Sequence, residues 1–151
     1  MSSSTRYLLD TNILLRLSNP VLEQYALCHQ AVSRLRLQGC LLHYTLQNVA
    51  EFWNVSTRPV ARNGHGLSCA VASLALSDLE GFMTLLPDDA RVYAVWRELV
   101  TEHDIRGVQV HDAKLAAAML VHDVGHILTF NGADFARYPK VEAAHPRILA
   151  S

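Results

Sequence analysis

Short apolar runs alternate with longer stretches of helical periodicity along this chain. Tyr7-Leu8-Leu9 reads as a strand that stops at Asp10. A short helix through Ile13-Leu14-Leu15-Arg16-Leu17 closes at Asn19-Pro20. Leu22 to Gln38 has the pattern of a longer helix, and Gly39 suits a left-handed C-terminal cap. Cys40-Leu41-Leu42-His43 is a second strand candidate. Leu46 to Thr57 is a helix that stops before Arg58-Pro59, because proline steers its predecessor out of the α region.

Beyond the Asn63-Gly64 turn signal, Leu67 to Leu79 reads as a further helix, broken by Gly81. Phe82-Met83-Thr84-Leu85-Leu86 is a strand candidate ended by Pro87. Asp88-Asp89 opens a helix to about His103, since acids suit a helix N-terminus. Asp112 opens one more, Ala113 to His122, with Gly125 beyond it. His126-Ile127-Leu128-Thr129 is the last clear strand, and Asn131-Gly132 follows; Val141-Glu142 adds an edge strand. Strands alternating with helices imply an α/β fold whose mostly parallel sheet is covered on both faces. No linker, charge block or repeat divides the chain, so residues 1–151 are expected to form one domain, with about 1–5 a flexible start.

Composition narrows the function. Half of the 151 residues are hydrophobic and 18% are charged, which is ample for a buried core. The formal net charge of -1 counts against a high-affinity DNA binder, so nucleic acid must be met by a local site. Three cysteines, Cys28, Cys40 and Cys69, show no close pairing and suit a reducing cytosol rather than a disulfide framework. No secretory or membrane-spanning run stands out, and a soluble, cytoplasmic protein is expected.

In parallel sheets, ligands bind at the carboxyl ends of the strands. Asp10 ends the first strand, Asp134 lies just past the last clear one, and Asp112 follows the apolar-leaning Val108-Gln109-Val110. All three are therefore expected at strand-to-helix junctions on one edge. Glu51 lies in the helix after the second strand, off the stripe of Leu46, Val49, Ala50 and Trp53 and beside Gln47, Asn54 and Arg58. Like charges that converge need a proton or a cation. Carboxylate oxygens suit hard ions, so Mg²⁺ or Mn²⁺ is the natural counter-charge. Such an ion activates water and neutralises charge on a phosphodiester. Taken singly, each acid reads as a helix cap or a solvated helix residue, and Asn12 and Asn131 as turn chemistry. The combination, in order and at strand ends, points to a site.

These residues resemble the PIN-domain family, in particular its VapC-type toxins. The segment Tyr7-Leu8-Leu9-Asp10-Thr11-Asn12-Ile13-Leu14 is similar to the family's opening motif. Asn48-Val49-Ala50-Glu51-Phe52 resembles the helix bearing its conserved Glu. The run from Gly107 to Ala117 around Asp112, and Ile127 to Phe135 around Asp134, resemble the third and closing motifs. The resemblance implies a three-layer α/β/α sandwich with an acidic Mg²⁺ (or Mn²⁺) pocket. It makes Asp10 and Asp112 the principal metal ligands, with Glu51 and Asp134 completing the catalytic quartet. Asn12 and Thr129 support the pocket by hydrogen bonds, and Asn131 stands where many relatives carry an Asp. The implied function is a metal-dependent endoribonuclease toxin, a homodimer held in check by a cognate antitoxin. A housekeeping RNA-processing nuclease and a catalytically decayed binding module are the alternatives.

Other features carry less. Arg16, Arg58, Arg62 and Lys114 are candidates to hold the RNA backbone. His111 could meet substrate, whereas Gly125 between His122 and His126 argues against a zinc pair. Tyr93, Trp53 and Trp96 read as core or interface residues rather than base-stacking platforms. The apolar surplus of Leu22 to Leu37 suits a partner surface. No nucleophile elbow or phosphate-binding glycine loop is present. A haloacid-dehalogenase phosphatase would need a second Asp two positions after Asp10, where Asn12 stands.

Overall fold

The computed structural model describes residues 4–150. Five strands form one sheet, β1 (Arg6–Leu9), β2 (Leu41–Tyr44), β3 (Thr84–Leu85), β4 (His126–Leu128) and β5 (Glu142–Ala144), in the order β3-β2-β1-β4-β5. Every pairing is parallel. The helices are α1 (Thr11–Ser18), α2 (Tyr25–Leu37), α3 (Leu46–Thr57), α4 (Cys69–Glu80), α5 (Ala90–Glu102), α6 (Gln109–Val121) and α7 (Pro146–Ala150). Short 3₁₀ turns occupy Val60–Arg62 and Gly132–Phe135.

The central strand explains the layering. Successive strand side chains point to opposite faces, and in β1 both faces are covered. Leu9 joins a cluster with Ile13, Leu14, Leu35, Phe52 and Leu79, beneath α1, α2, α3 and α4. Leu8 joins the other, with Val92, Leu99, Ala116, Met119 and Ile127 from α5, α6 and β4. Both leucines are wholly buried, as a strand covered on two sides requires. The expected α/β/α sandwich is the observed architecture.

Several boundaries differ from the sequence reading. Helix α2 starts at Tyr25 rather than Leu22, because Gln24 takes a left-handed φ of 72° that no helix can run through. Helix α4 starts at Cys69, behind the Ser68 cap, whose hydroxyl accepts the Val71 N–H. The third strand shrinks to two residues, and β5 begins at Glu142. The terminal helix α7 carries no signal noticed in the sequence. The expected flexible start falls partly outside the described residues (1–3), but the Thr5 carbonyl accepts the Leu41 N–H at 2.9 Å. No helix among the described residues is long and apolar enough to cross a membrane.

Two differences bear on the site. No strand precedes Asp112: after a turn at Gly107 (φ +61°), helix α6 already runs from Gln109. Asp112 therefore sits in the first turn of α6 and reaches the sheet edge from a helix. The apolar stripe assigned to α3 is also not its inner face. Asn48, Phe52 and Ser56 are buried, while Leu46 and Ala50 are exposed. A polar residue takes the inner position at Asn48 because its side chain is fully used in hydrogen bonds.

Candidate active site

Asp10 leaves β1 and caps α1. Its backbone N–H donates to the Leu128 carbonyl at 3.0 Å, so the ends of β1 and β4 lie side by side. The Thr11 N–H donates to Asp10 Oδ1 at 2.8 Å, and the Thr129 hydroxyl donates to Oδ2 at 2.7 Å. The bland reading of Asp10 as a cap is thus half right: one oxygen caps the helix and the other meets β4. Thr129 in turn accepts from the Asn131 N–H (3.0 Å) and from Asn12 Nδ2 (3.4 Å). Asn12, Thr129 and Asn131 therefore form one brace for Asp10, with Thr129 buried at its centre and Asn131 joining through its backbone.

A second brace holds Glu51. The Thr11 hydroxyl donates to Oε2 at 2.8 Å and Gln47 Nε2 donates to Oε1 at 3.1 Å. Thr11 Oγ accepts from Asn48 Nδ2 at 3.1 Å. Asn48 Oδ1 accepts from the Thr45 N–H and hydroxyl, and Thr45 Oγ accepts the backbone Asn48 N–H, a reciprocal cap at the start of α3. Gln47 also donates to the His111 carbonyl at 3.0 Å, tying α3 to α6 one residue before Asp112. Thr11, Thr45, Gln47 and Asn48 were not singled out from sequence as site residues. The signal for Thr11, Gln47 and Asn48 was adjacency, since each lies beside or one turn from a quartet member; Thr45 is joined only through its cap on Asn48.

The quartet is electrostatically one unit. Burial raises the Asp10 carboxyl, the Thr129 and Thr11 hydrogen bonds oppose this, and the charges of Glu51 and Asp134 raise it further. Asp112, half-buried, is pushed up to about 6, first by burial and then by Asp134, Asp10 and Glu51; His111 pulls the other way. Asp134 comes from the 3₁₀ turn after β4 and is exposed. The charges of Glu51 and Asp134 thus reach Asp10, and those of Asp10, Glu51 and Asp134 reach Asp112.

It does not pack them into a ready cage. Among the described residues, no three His, Cys, Asp or Glu side chains are grouped closely enough to hold an ion alone. A hard divalent ion still fits the chemistry of the donors. Mg²⁺ takes one or two carboxylates and completes its shell with water. Asn12 Oδ1 and Gln47 Oε1 are buried acceptors without a hydrogen-bond partner, the kind of oxygen such a shell uses.

The candidate cations disperse. Arg16 lies one helical turn beyond Asn12, donates to its carbonyl (2.8 Å) and to Gln24 Oε1 (3.0 Å), and covers the Phe130 ring at 4.7 Å. Arg58 donates to the Asn63 carbonyl and Arg62 is exposed, both beyond the far end of α3. Lys114 pairs with Asp88 at 2.9 Å rather than with the quartet. His122 Nε2 lies 2.8 Å from the Pro87 carbonyl, and His126 pairs with Glu142.

The PIN domain family model matches residues 7–141, which spans all four acids. The chain belongs to the PIN-domain family. Among solved structures, this PIN domain resembles VapBC2 of Rickettsia felis bound to a promoter DNA fragment, with a TM-score of 0.68 and 18% identity over 93% of this chain and 98% of that one. It also resembles VapC20 of Mycobacterium tuberculosis, a sarcin–ricin loop cleaving toxin, with a TM-score of 0.63 and 19% identity over 87% and 95%. VapBC-1 of nontypeable Haemophilus influenzae matches with a TM-score of 0.64 and 17% identity over 94% and 98%. At these identities the likeness shows the shared fold. No curated protein matches the chain.

Proposed function

We propose that this PIN domain is a metal-dependent endoribonuclease and the toxin of a toxin–antitoxin pair. The observation that carries the reading is that acids from three other segments, Asp10, Glu51 and Asp134, all act on Asp112, whose carboxyl is driven up to about 6. Such repulsion is relieved by a proton or by a cation, and oxygen donors of this kind favour a hard divalent ion.

In this reading Asp10 and Asp112 hold Mg²⁺ or Mn²⁺, with Glu51 and Asp134 completing the acidic wall directly or through water. The ion, when bound, supplies the positive charge that polarises a phosphodiester and makes water acidic. The chain's part is to orient and to exclude solvent. Thr129 and Thr11 fix both oxygens of Asp10, while Thr11 and Gln47 fix both oxygens of Glu51, so these carboxylates need no reorganisation when substrate arrives. Arg16, held by Asn12 and Gln24 at the same edge, is placed to meet a neighbouring phosphate. RNA as substrate, a homodimer, a cognate antitoxin and a cytoplasmic setting belong to the same proposal, supported by the family and by VapBC complexes among the solved structures it resembles.

Labelled single-stranded RNA with and without Mn²⁺ or Mg²⁺, beside an Asp10→Ala/Asp112→Ala control, tests the activity. Metal-dependent cleavage that is lost in the control is the expected result; cleavage that survives the double substitution would sink the mechanism. A second reading, a decayed PIN-like binding module, has one observation in its favour, the lack of a preformed cage. Calorimetric titration with Mn²⁺ separates the two, since a decayed pocket binds the ion poorly. Growth arrest on expression, relieved by a neighbouring gene, distinguishes a toxin from a housekeeping nuclease.

A further inference from the structure

Helix α5 presents an aromatic pair where the sequence suggested core or interface residues rather than a stacking platform. Tyr93 is 59% exposed, and its ring lies 6.3 Å from that of Trp96, tilted by 36°. The Trp96 indole N–H donates to the Val110 carbonyl at 2.9 Å, which fixes the ring against α6 two residues before Asp112. Around the pair is a cavity of about 340 Å³, lined by Asp88, Asp89, Val92, Tyr93, Trp96 and Lys114.

The charges at this cavity cancel locally. Lys114 Nζ meets Asp88 at 2.9 Å, and Arg91 meets Asp89 at 2.8 Å. A cavity lined by two aromatic rings and Val92, with its charged residues already paired, suits an uncharged planar heterocycle better than a phosphate. Ring stacking supplies sequence-tolerant affinity, and carboxylate and ammonium groups can bond to the edge of a base.

The slot and the acids share helix α6. Lys114, which lines the slot, lies two residues after Asp112, and Val110, which holds the Trp96 ring, lies two before it. A water-sized pocket of about 10 Å³ shares Asp88 and Lys114 with the slot and is also lined by Gln47, which donates to Glu51.

We propose that the Tyr93–Trp96 slot is a nucleobase subsite, holding one unstacked base of single-stranded RNA beside the cleavage site. The proposal rests on the ribonuclease reading for its purpose, but its test does not need cleavage. The chain has two tryptophans, so Trp53→Phe leaves Trp96 as the sole indole reporter. Titrating that variant with each of the four nucleoside monophosphates, without metal, should give saturable quenching for at least one. Adding Tyr93→Ala should weaken binding by at least about 5-fold, the lower end of what losing one base–aromatic stack costs, whereas Tyr93→Phe should retain it.

Absence of saturable quenching with all four nucleotides would overturn the subsite. So would quenching that Tyr93→Ala leaves unchanged. Sedimentation of the same variants detects the competing occupant: a dimer that Tyr93→Ala splits, with nucleotide affinity unaltered, would make the slot an interface between copies. If RNA is never cut but the Tyr93-dependent titration stands, the ribonuclease reading fails and the base subsite survives.

Discussion

Asp10 and Thr129 stand 119 positions apart in the chain and 2.7 Å apart in space, hydroxyl to carboxylate. Thr129→Val removes the donor to Oδ2 and leaves the Asn131 N–H without its acceptor. Orphaned buried groups cost about 1–3 kcal/mol, a loss that urea denaturation should register. Because the Thr129 hydrogen bond holds the Asp10 pKa down, the acid limb of any cleavage–pH profile should move upward. Thr129→Ser should restore both; a Val variant as stable and as active as the parent would refute the brace.

Thr11 couples Glu51 to Asn48 through one hydroxyl that donates to the first and accepts from the second. Thr11→Val should therefore lower the cleavage rate on the order of 10-fold or more through loss of orientation. Stability should fall by about 1 kcal/mol. Thr11→Ser should recover most of the rate. A Val variant with parental turnover would show that Glu51 needs no such anchor.

Asp112 makes the metal-free protein less stable as pH rises. Its folded pKa, about 6, lies above its ordinary value of 3.8. The stability it lends is complete below the unfolded value and disappears as pH climbs through about 6. Asp112→Asn should accordingly raise the melting temperature at about pH 8 by the equivalent of on the order of 1 kcal/mol, after allowance for solvent screening. At about pH 4 it should change little. Thermal melts in a chelator at both pH values decide this, and an unchanged melt at high pH would contradict the repulsion.

His43 works in the opposite direction. Arg6 Nε can only donate, so His43 Nε2 accepts (3.2 Å), and Nδ1 is left to donate to the Thr84 carbonyl (3.2 Å). Burial, then the Arg6 charge, lower its pKa, with a smaller push from His122; the Thr84 bond partly resists. Folded below unfolded means full stability above about 6.5 and loss as pH falls through the folded value. In an Asp10→Asn/Asp112→Asn background, where both of the raised carboxylates are gone, denaturation midpoints should drop steadily below about pH 6.5. A flat profile there would mean that the ring tolerates a proton.

Much of this was legible before any coordinates. The Tyr7-to-Asp10 run, the capped helix from Leu46 to Thr57 and the strand before Thr129 were readable because each had both a periodicity and a stop signal. Asp112 was misplaced because Val108-Gln109-Val110 is too short for its period to tell strand from helix start. The inner face of α3 was misread for a different reason. Hydropathy ranks Leu46 and Ala50 above Asn48, but Asn48 is buried by satisfied hydrogen bonds, which single residues do not advertise. Tyr93 was read as core or interface because an aromatic among apolar neighbours usually is; its 59% exposure depends on how α5 meets α6.

The sheet order has a consequence for synthesis of the chain. Strand β1 emerges from the ribosome before β2 and β3, yet its neighbour β4, with Thr129 at its end, emerges only after both. Until then Asp10 lacks one of its two side-chain partners, and Asp134 has not been made. A chain whose β4 has yet to emerge therefore carries an incomplete pocket, and until then the nuclease proposed here has no complete site with which to cut the message it is read from.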